Sequence, residues 1–316
     1  MVNWLFVFYR RQSYLFFRLC NAKPTVTITL NVIMIIFKRI TNIQKWLQTA
    51  KSGKATVGFV PTMGALHEGH LSLLQQSKKQ ADISIVSIFI NPAQFDNKAD
   101  LEKYPSTVAK DIKLLEENGC DILFLPSESE IYPDEKSKRK HYDLGNLETV
   151  LEGKFRPGHF QGVCLVVERL LTIITPDVLF LGRKDFQQCL VIKRLINLMK
   201  YETDVIVCPI TREESGLAMS SRNQRLNEDE REIAAELFKA LKEIKENRDH
   251  SQFSILKKNA IKKLELKGFK IDYLELAKEK DLQTVSEFIP GQKLVILIAA
   301  FLQNVRLIDN IKLSEY

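Results

Sequence analysis

Acidic residues are missing from the first 33 positions of this 316-residue chain, and Cys-X-X-Cys pairs are missing from all of it. Its five cysteines, Cys20, Cys120, Cys164, Cys189 and Cys208, are odd in number and widely scattered. Such spacing indicates neither a disulfide framework nor a zinc site, and a reducing cytoplasm is the simplest compartment for it. Residues 1–33 are rich in Phe, Leu, Ile and Arg, yet hold no uninterrupted apolar run near the ~20 residues a membrane helix needs. No membrane span is expected there. Internal repeats and low-complexity tracts are absent too.

What is present is length enough to bury a sizeable core, in one large domain or a large and a small one. The net charge of +7 would suit nucleic acid, but Arg10, Arg11, Arg18 and Lys23 supply four of those charges, leaving an ordinary +3 for the remainder. The one dense basic run in the body, Lys136 to Lys140, reads as a solvated loop. Two readings stay open for residues 1–33: an amphipathic targeting presequence, or an extension upstream of a functional chain that opens at Met34. The second is preferred, because Met34 leads directly into a compact helix and then the first strand.

From Thr56 onward, short β-branched runs alternate with helical patterns. TVGFVP, ISIVSIFI, DILFLP, VLFLG (Val178 to Gly182) and DVIVCPI (Asp204 to Ile210) read as strands; helices are expected after His67, over Ser106 to Asn118, around Val163 to Ile174 and from Asp185. Strands that are apolar almost throughout belong to a parallel sheet covered on both faces, so the fold class is α/β, a Rossmann-like doubly wound sheet. Gly119 stands where a helix end favours a left-handed residue. After Thr211 the pattern changes. Asn227 and Glu230 have capping-box spacing, charged amphipathic helices fill Glu228 to Lys267, and KIDYLEL, LVILIAAFL and NVRLI read as strands. The expected division is an extension (1–33), a nucleotide-binding domain (34–210) and a smaller α+β lid domain (211–316), hinged near Pro209.

The most informative segment is Pro61 to His70, PTMGALHEGH, at the carboxyl end of the first strand and the start of a helix. Ligands bind at the carboxyl ends of strands in such sheets, and a helix N-terminus offers free N–H groups to phosphate. His67 and His70, at i and i+3, project from one face of the first turn. Two imidazoles there can donate hydrogen bonds as charge builds on an α-phosphate and on departing pyrophosphate. His141 and His250 have no motif around them and read as surface residues.

The HxGH pattern is a superfamily mark, found in nucleotidylyltransferases and class I aminoacyl-tRNA synthetases. Four further segments narrow it: NPAQF (Asn91 to Phe95), LEGKFRPGHFQG (Leu151 to Gly162), GRKDFQQ (Gly182 to Gln188) and GLAMSSRN (Gly216 to Asn223). Together they resemble the pantothenate synthetase (pantoate-beta-alanine ligase) family, from about residue 34 to the C-terminus. That resemblance implies a carbon–nitrogen ligase: ATP and pantoate give pantoyl adenylate and pyrophosphate, then β-alanine attacks to give pantothenate and AMP. It implies that Met63, Gly64, Ala65, Leu66, His67, Glu68, Gly69 and His70 line the ATP phosphates, with His70 the proton donor or charge stabiliser. Gly182, Arg183, Lys184 and Asp185 would grip the nucleotide. Gln94 and Gln188 would hold pantoate, and Gln94 would later lie near β-alanine. Met219, Ser220, Ser221 and Arg222 would close over the triphosphate from the lid, with Thr211 near the adenine. Mg²⁺ would arrive mainly on the ATP phosphates, and the enzyme would be a homodimer.

Glu152, Arg156 and His159 fall in a segment resembling the family's flap and dimer region, while Asn91 shapes the turn before Pro92. The chain departs from the family pattern at Arg183, where Glu is frequent, and at Thr211, where Val is common. Two rivals remain: another HxGH nucleotidylyltransferase, which leaves Gln94 and Gln188 without a reason, and a basic nucleic-acid-binding module, which the charge distribution disfavours.

Overall fold

The structure, a computed structural model, describes residues 14–16, 27–29, 34–95, 98–134 and 140–314. The readings of residues 1–33 and of the basic run over 136–139 therefore lie outside the described residues, apart from the backbone of Tyr14–Phe16 (β1), which pairs antiparallel with Thr27–Thr29 (β2).

Six parallel strands form the main sheet: Ile35–Phe37 (β3), Val57–Thr62 (β4), Ile83–Ile88 (β5), Ile122–Phe124 (β6), Val178–Gly182 (β7) and Asp204–Cys208 (β8). They lie in the order β3-β6-β5-β4-β7-β8. From β4 the chain winds outward through β5 and β6, then returns to β4's other side for β7 and β8. The carboxyl ends of β4 and β7 therefore part in a crevice, the usual ligand position in a doubly wound sheet. Side-chain alternation explains why the strands read as continuous apolar runs. Phe59, Ile85, Ile122 and Leu179 enter one core with the helices Ile40–Ser52 (α1), His159–Ile174 (α7) and Phe186–Met199 (α8). Val60, Val86, Leu123 and Phe180 enter the other, with Glu68–Gln80 (α2) and Val108–Glu117 (α4). Two short helices, Lys98–Glu102 (α3) and Glu128–Ile131 (α5), and Leu151–Phe155 (α6) complete this part.

Strand β3 differs from the expectation that Met34 leads straight into a helix. Three residues pair with β6 before α1 begins. A three-residue edge strand is too short for alternation to register against the helical pattern that follows it. The left-handed residue at the end of α4 is present: Gly119 has φ +68°, and Cys120 donates back to the Leu115 carbonyl.

The second unit carries helices Glu228–Ala234 (α9), Glu236–Glu246 (α10) and Phe253–Leu266 (α11) over an antiparallel sheet in the order β11-β10-β9. Its strands are Phe269–Lys278 (β9), Leu294–Leu302 (β10) and Val305–Lys312 (β11). Asn227 and Glu230 form the expected capping box at α9. Strand β10 is apolar throughout although antiparallel, and the reason is packing on both sides. Ile296, Ile298 and Ala300 meet α10 and α11, whereas Val295, Leu297 and Ala299 join the core of the main sheet.

Candidate active site

The first turn of α2 is capped by imidazoles. His67 is its N-cap, with extended backbone (φ −146°, ψ 174°), and its Nδ1 accepts the N–H of Gly69 at 3.1 Å. Three residues on, Nδ1 of His70 accepts the N–H of His67 at 3.4 Å, closing a capping box in which both side-chain partners are histidines. His67 thus stands just ahead of the first turn, not within it as the i, i+3 spacing implied. The ring centroids lie 4.1 Å apart. Burial, reinforced by Lys184 and only partly opposed by Asp185, lowers the His67 pKa to about 4. Burial also pushes His70 well below its ordinary value, with His67 and then Lys184 adding to the effect. Both rings are neutral near pH 7. Since each Nδ1 accepts a backbone N–H, the proton of each neutral ring rests on Nε2, ready to donate. A side chain at Gly69 would displace the His67 ring, because a Cβ would stand 2.8 Å from its Cε1.

The loop before these histidines is held by a residue the sequence did not single out. Asp111 of α4, itself buried, accepts the N–H groups of Ala65 and Leu66, each at 2.9 Å, and the Thr107 hydroxyl at 3.0 Å. Ser221 fastens the same loop from the other side, donating to the Ala65 carbonyl at 3.1 Å.

Gln94 is positioned by its neighbours in the NPAQF turn. Its Oε1 accepts from Asn91 Nδ2 (3.1 Å) and its Nε2 donates to the Met63 sulfur (3.0 Å). Asn91 also donates to the Gly162 carbonyl, accepts from the Tyr132 hydroxyl and caps the turn at Ala93. The turn presses so closely on α7 that any side chain at Gly162 would strike the Ala93 carbonyl. His159 completes the support. Its Nδ1 donates to the Gln94 carbonyl at 2.7 Å, and its Nε2 therefore accepts from Arg156, 3.1 Å away.

These elements converge on a cavity of about 220 Å³ at the crevice between β4 and β7. Met63, His67, Gly69, His70 and Gln94 form one side; Gly182, Lys184, Asp185 and Gln188 form another; Thr211, Met219, Ser220, Ser221 and Arg222 reach in from the second unit. Gly64, Ala65 and Leu66 stand behind that wall as the loop Asp111 holds, while Glu68 is exposed at the start of α2 and Arg183 stays off the wall. Tyr104, not anticipated from sequence, lines the cavity beneath Arg222, whose guanidinium lies 5.6 Å from the ring centre. A larger cleft of about 530 Å³ adjoins it and shares Lys184, Asp185, Ser220 and Arg222.

Contacts from the second unit keep the wall in place. Asn310 of β11 donates from Nδ2 to the carbonyls of Arg183 and Lys184, both at 3.0 Å. Thr211 reaches Ser72 of α2 (3.1 Å), and Arg212 forks onto Asp309 while stacking over Phe238. Glu152 is not at the reacting centre. It sits buried in an ion cluster, accepting both guanidinium arms of Arg306 (2.7 and 2.8 Å) and the Tyr273 hydroxyl (2.8 Å). The neighbouring glutamines divide in the same way. Gln188 lines the cavity, whereas Gln187 is buried and ties the Glu152 N–H to the carbonyls of Leu147 and Val150. His141 and His250 are exposed, as expected.

A parallel sheet wound both ways from β4, with neutral imidazole donors, cations and amides at its turning point, defines an α/β nucleotide-binding enzyme. The family model for pantoate-beta-alanine ligase matches residues 35–312, and the chain belongs to that family of ligases. A pantothenate synthetase of Cytophaga hutchinsonii is 42% identical over 281 residues, covering 88% of this chain and 99% of its own. One from Christiangramia forsetii is 43% identical over 288 residues, covering 89% and 100%. Among solved structures, the pantothenate synthetase of Thermus thermophilus matches with TM-score 0.82 at 34% identity, over 89% of this chain and all of that one. The Francisella tularensis pantoate-beta-alanine ligase, complexed with beta-gamma ATP and beta-alanine, matches with TM-score 0.76 at 38% identity, over 90% and 99%.

Proposed function

We propose that this protein condenses pantoate with β-alanine at the expense of ATP, giving pantothenate, AMP and pyrophosphate through pantoyl adenylate. The observation that carries the reading is the single cavity lined at once by His67, His70, Gln94, Gln188, Lys184 and Arg222. In the first half-reaction a pantoate carboxylate oxygen attacks the α-phosphorus and pyrophosphate leaves. His67 and His70 donate from Nε2 to oxygens on which charge accumulates, with His70 the principal donor, and Lys184 and Arg222 offset that charge. Gln94 and Gln188 suit pantoate, because an amide can donate and accept to hydroxyls and carboxylate at once. Asp185 and the backbone of Gly182 orient the ribose side, Thr211 lies toward the base, and Met219, Ser220 and Ser221 close over the phosphates. Arg183 acts on nucleotide affinity only indirectly.

In the second half-reaction the uncharged amine of β-alanine, near Gln94, attacks the adenylate carbonyl; the new C–N bond forms as AMP leaves and the amine loses its proton. Holding the partners in line supplies on the order of 7 kcal/mol or more of the barrier reduction. Mg²⁺ would be carried mainly by the nucleotide phosphates, where it would offset pyrophosphate charge; the cavity lining offers it one carboxylate, Asp185, whose side chain is 46% exposed. Residues 34–210 act as the binding domain and 211–316 as a lid that excludes water from a hydrolysable intermediate. The enzyme works as a homodimer in the cytoplasm; the four described cysteines, all free and buried, suit a reducing compartment.

The test is an assay of purified protein beginning at Met34 with ATP, Mg²⁺, pantoate and β-alanine, each omitted in turn. AMP and pantothenate are expected only in the complete mixture. Absence of both above a heat-killed control defeats the reading, and a retained dinucleotide product favours a nucleotidylyltransferase instead.

A further inference from the structure

Arg222 reaches the cavity from the second unit, but what holds its guanidinium is an aspartate of the first. Asp100, on α3, accepts from Arg222 Nη2 at 2.7 Å and from its Nε at 3.4 Å, a side-on fork. That fork uses one edge of the guanidinium and leaves the Nη1 N–H groups for a different acceptor. Taken alone, the carboxylate would cancel the cation. Arg225 prevents this, donating to Asp100 Oδ1 at 3.0 Å, so the three side chains together keep one positive charge. Burial works against the Asp100 charge, yet the hydrogen bond and charge of Arg222, followed by Arg225 and Arg156, hold its carboxyl below the ordinary carboxylate range.

Asp100 also lies six residues beyond Gln94 and four before Tyr104, the ring beneath Arg222. The stretch of chain that carries the pantoate-side amide therefore also sets the guanidinium.

We propose that Asp100 and Arg225 form a positioning pair, with Asp100 turning the free edge of Arg222 toward the triphosphate and Arg225 neutralising Asp100 so that Arg222 keeps its charge there. Neither residue touches the reacting atoms; both act through Arg222. The inference rests on the adenylation reading for the identity of the anion.

The test compares Asp100→Asn, Arg225→Ala and the double variant with wild type. ATP affinity is read by calorimetry, pyrophosphate exchange reports the first half-reaction, and single-turnover aminolysis of preformed adenylate reports the second. Asp100→Asn preserves shape and one acceptor but not the charged fork; weaker ATP binding and slower exchange are expected, each on the order of tenfold. Aminolysis and the KM for pantoate are expected to stay unchanged. Arg225→Ala alone should weaken ATP binding, because an unneutralised Asp100 then opposes the triphosphate. Added to Asp100→Asn it should cost less than it does alone, since without the Asp100 carboxylate Arg225 is no longer held beside Arg222. Unchanged ATP binding in Asp100→Asn overturns the inference whether or not the wild type makes pantothenate. Equal slowing of both half-reactions, or additive losses in the double variant, overturns it as well by indicating a merely structural contact.

Discussion

Nδ1 of His67 accepts the N–H of Gly69, and the same atom would have to carry the proton if that ring became a cation. Protonation therefore breaks the cap of α2 in addition to charging a buried site. In the unfolded chain the ring takes a proton near 6.5, whereas in the fold it resists until about 4. Across that window the unfolded state binds more protons, so stability falls as pH drops from 6.5 toward 4. Thermal midpoints at pH 7 and pH 5 should show wild type losing more than His67→Gln, a neutral side chain that still offers an acceptor. Equal losses would show that His67 does not contribute to the slope.

His70→Ala should leave the protein folded and slow the adenylation half-reaction on the order of 100-fold or more, the usual effect of removing one preorganised donor. The measurement is pyrophosphate release from ATP and pantoate. Wild-type release from the variant would remove His70 from its role.

Asp111 is expected to matter as much for activity as residues that line the cavity. Asp111→Ala strands the N–H groups of Ala65 and Leu66, at about 1–3 kcal/mol each. The loop leading into His67 should loosen, lowering both the denaturation midpoint and kcat. Asp111→Asn, which keeps one carbonyl acceptor, should fall between; a stable but fully active Asp111→Ala variant contradicts the clamp.

Gln187 and Gln188 offer a contrast between adjacent residues of one type. Gln187→Ala removes three hydrogen bonds to buried backbone and should destabilise by a few kcal/mol, about 1–3 per stranded group, without changing the KM for pantoate. Gln188→Ala should do the reverse, raising that KM on the order of tenfold while leaving the melting temperature alone. Steady-state kinetics beside differential scanning calorimetry separates the two.

Glu152 joins the units through Arg306 and Tyr273. Burial disfavours its charge, but the hydrogen bonds and charge of Arg306, with Arg156 and Tyr273, hold its pKa below the ordinary value of 4.5. A depressed carboxyl stabilises the fold above its unfolded pKa and loses that contribution as pH falls below it. Glu152→Gln should cost about 3 kcal/mol or more in urea denaturation at pH 7, and the gap to wild type should narrow as the pH drops below 4.5. A gap independent of pH would exclude the ionic contribution.

The parts legible in the sequence were those whose signal is local. Runs such as VLFLG and LVILIAAFL gave strands at the right residues, and Asn227 with Glu230 gave the start of α9, because alternation and capping chemistry are written in neighbouring positions. Strand β3 was missed for want of length. Asp100, Asp111 and Asn310 escaped for a different reason. Each is an ordinary polar residue on a helix or strand, and what makes it matter is a backbone group or an arginine brought near only by the completed fold. The HxGH segment pointed to phosphate chemistry, but not to imidazoles that serve as their own helix cap. Tyr104 carried no motif at all.

Strand β10 has no solvent side, and this bears on the order in which the molecule comes together. The large sheet's apolar interior lacks Val295, Leu297 and Ala299 until a segment far downstream of β8 has docked. A ribosome that has just released β8 therefore presents a half-sealed body, sticky on one flank, and an isolated tail beginning at residue 211 would be sticky on the matching flank. Splitting the gene between the two units should yield fragments that precipitate apart and regain solubility when synthesised together.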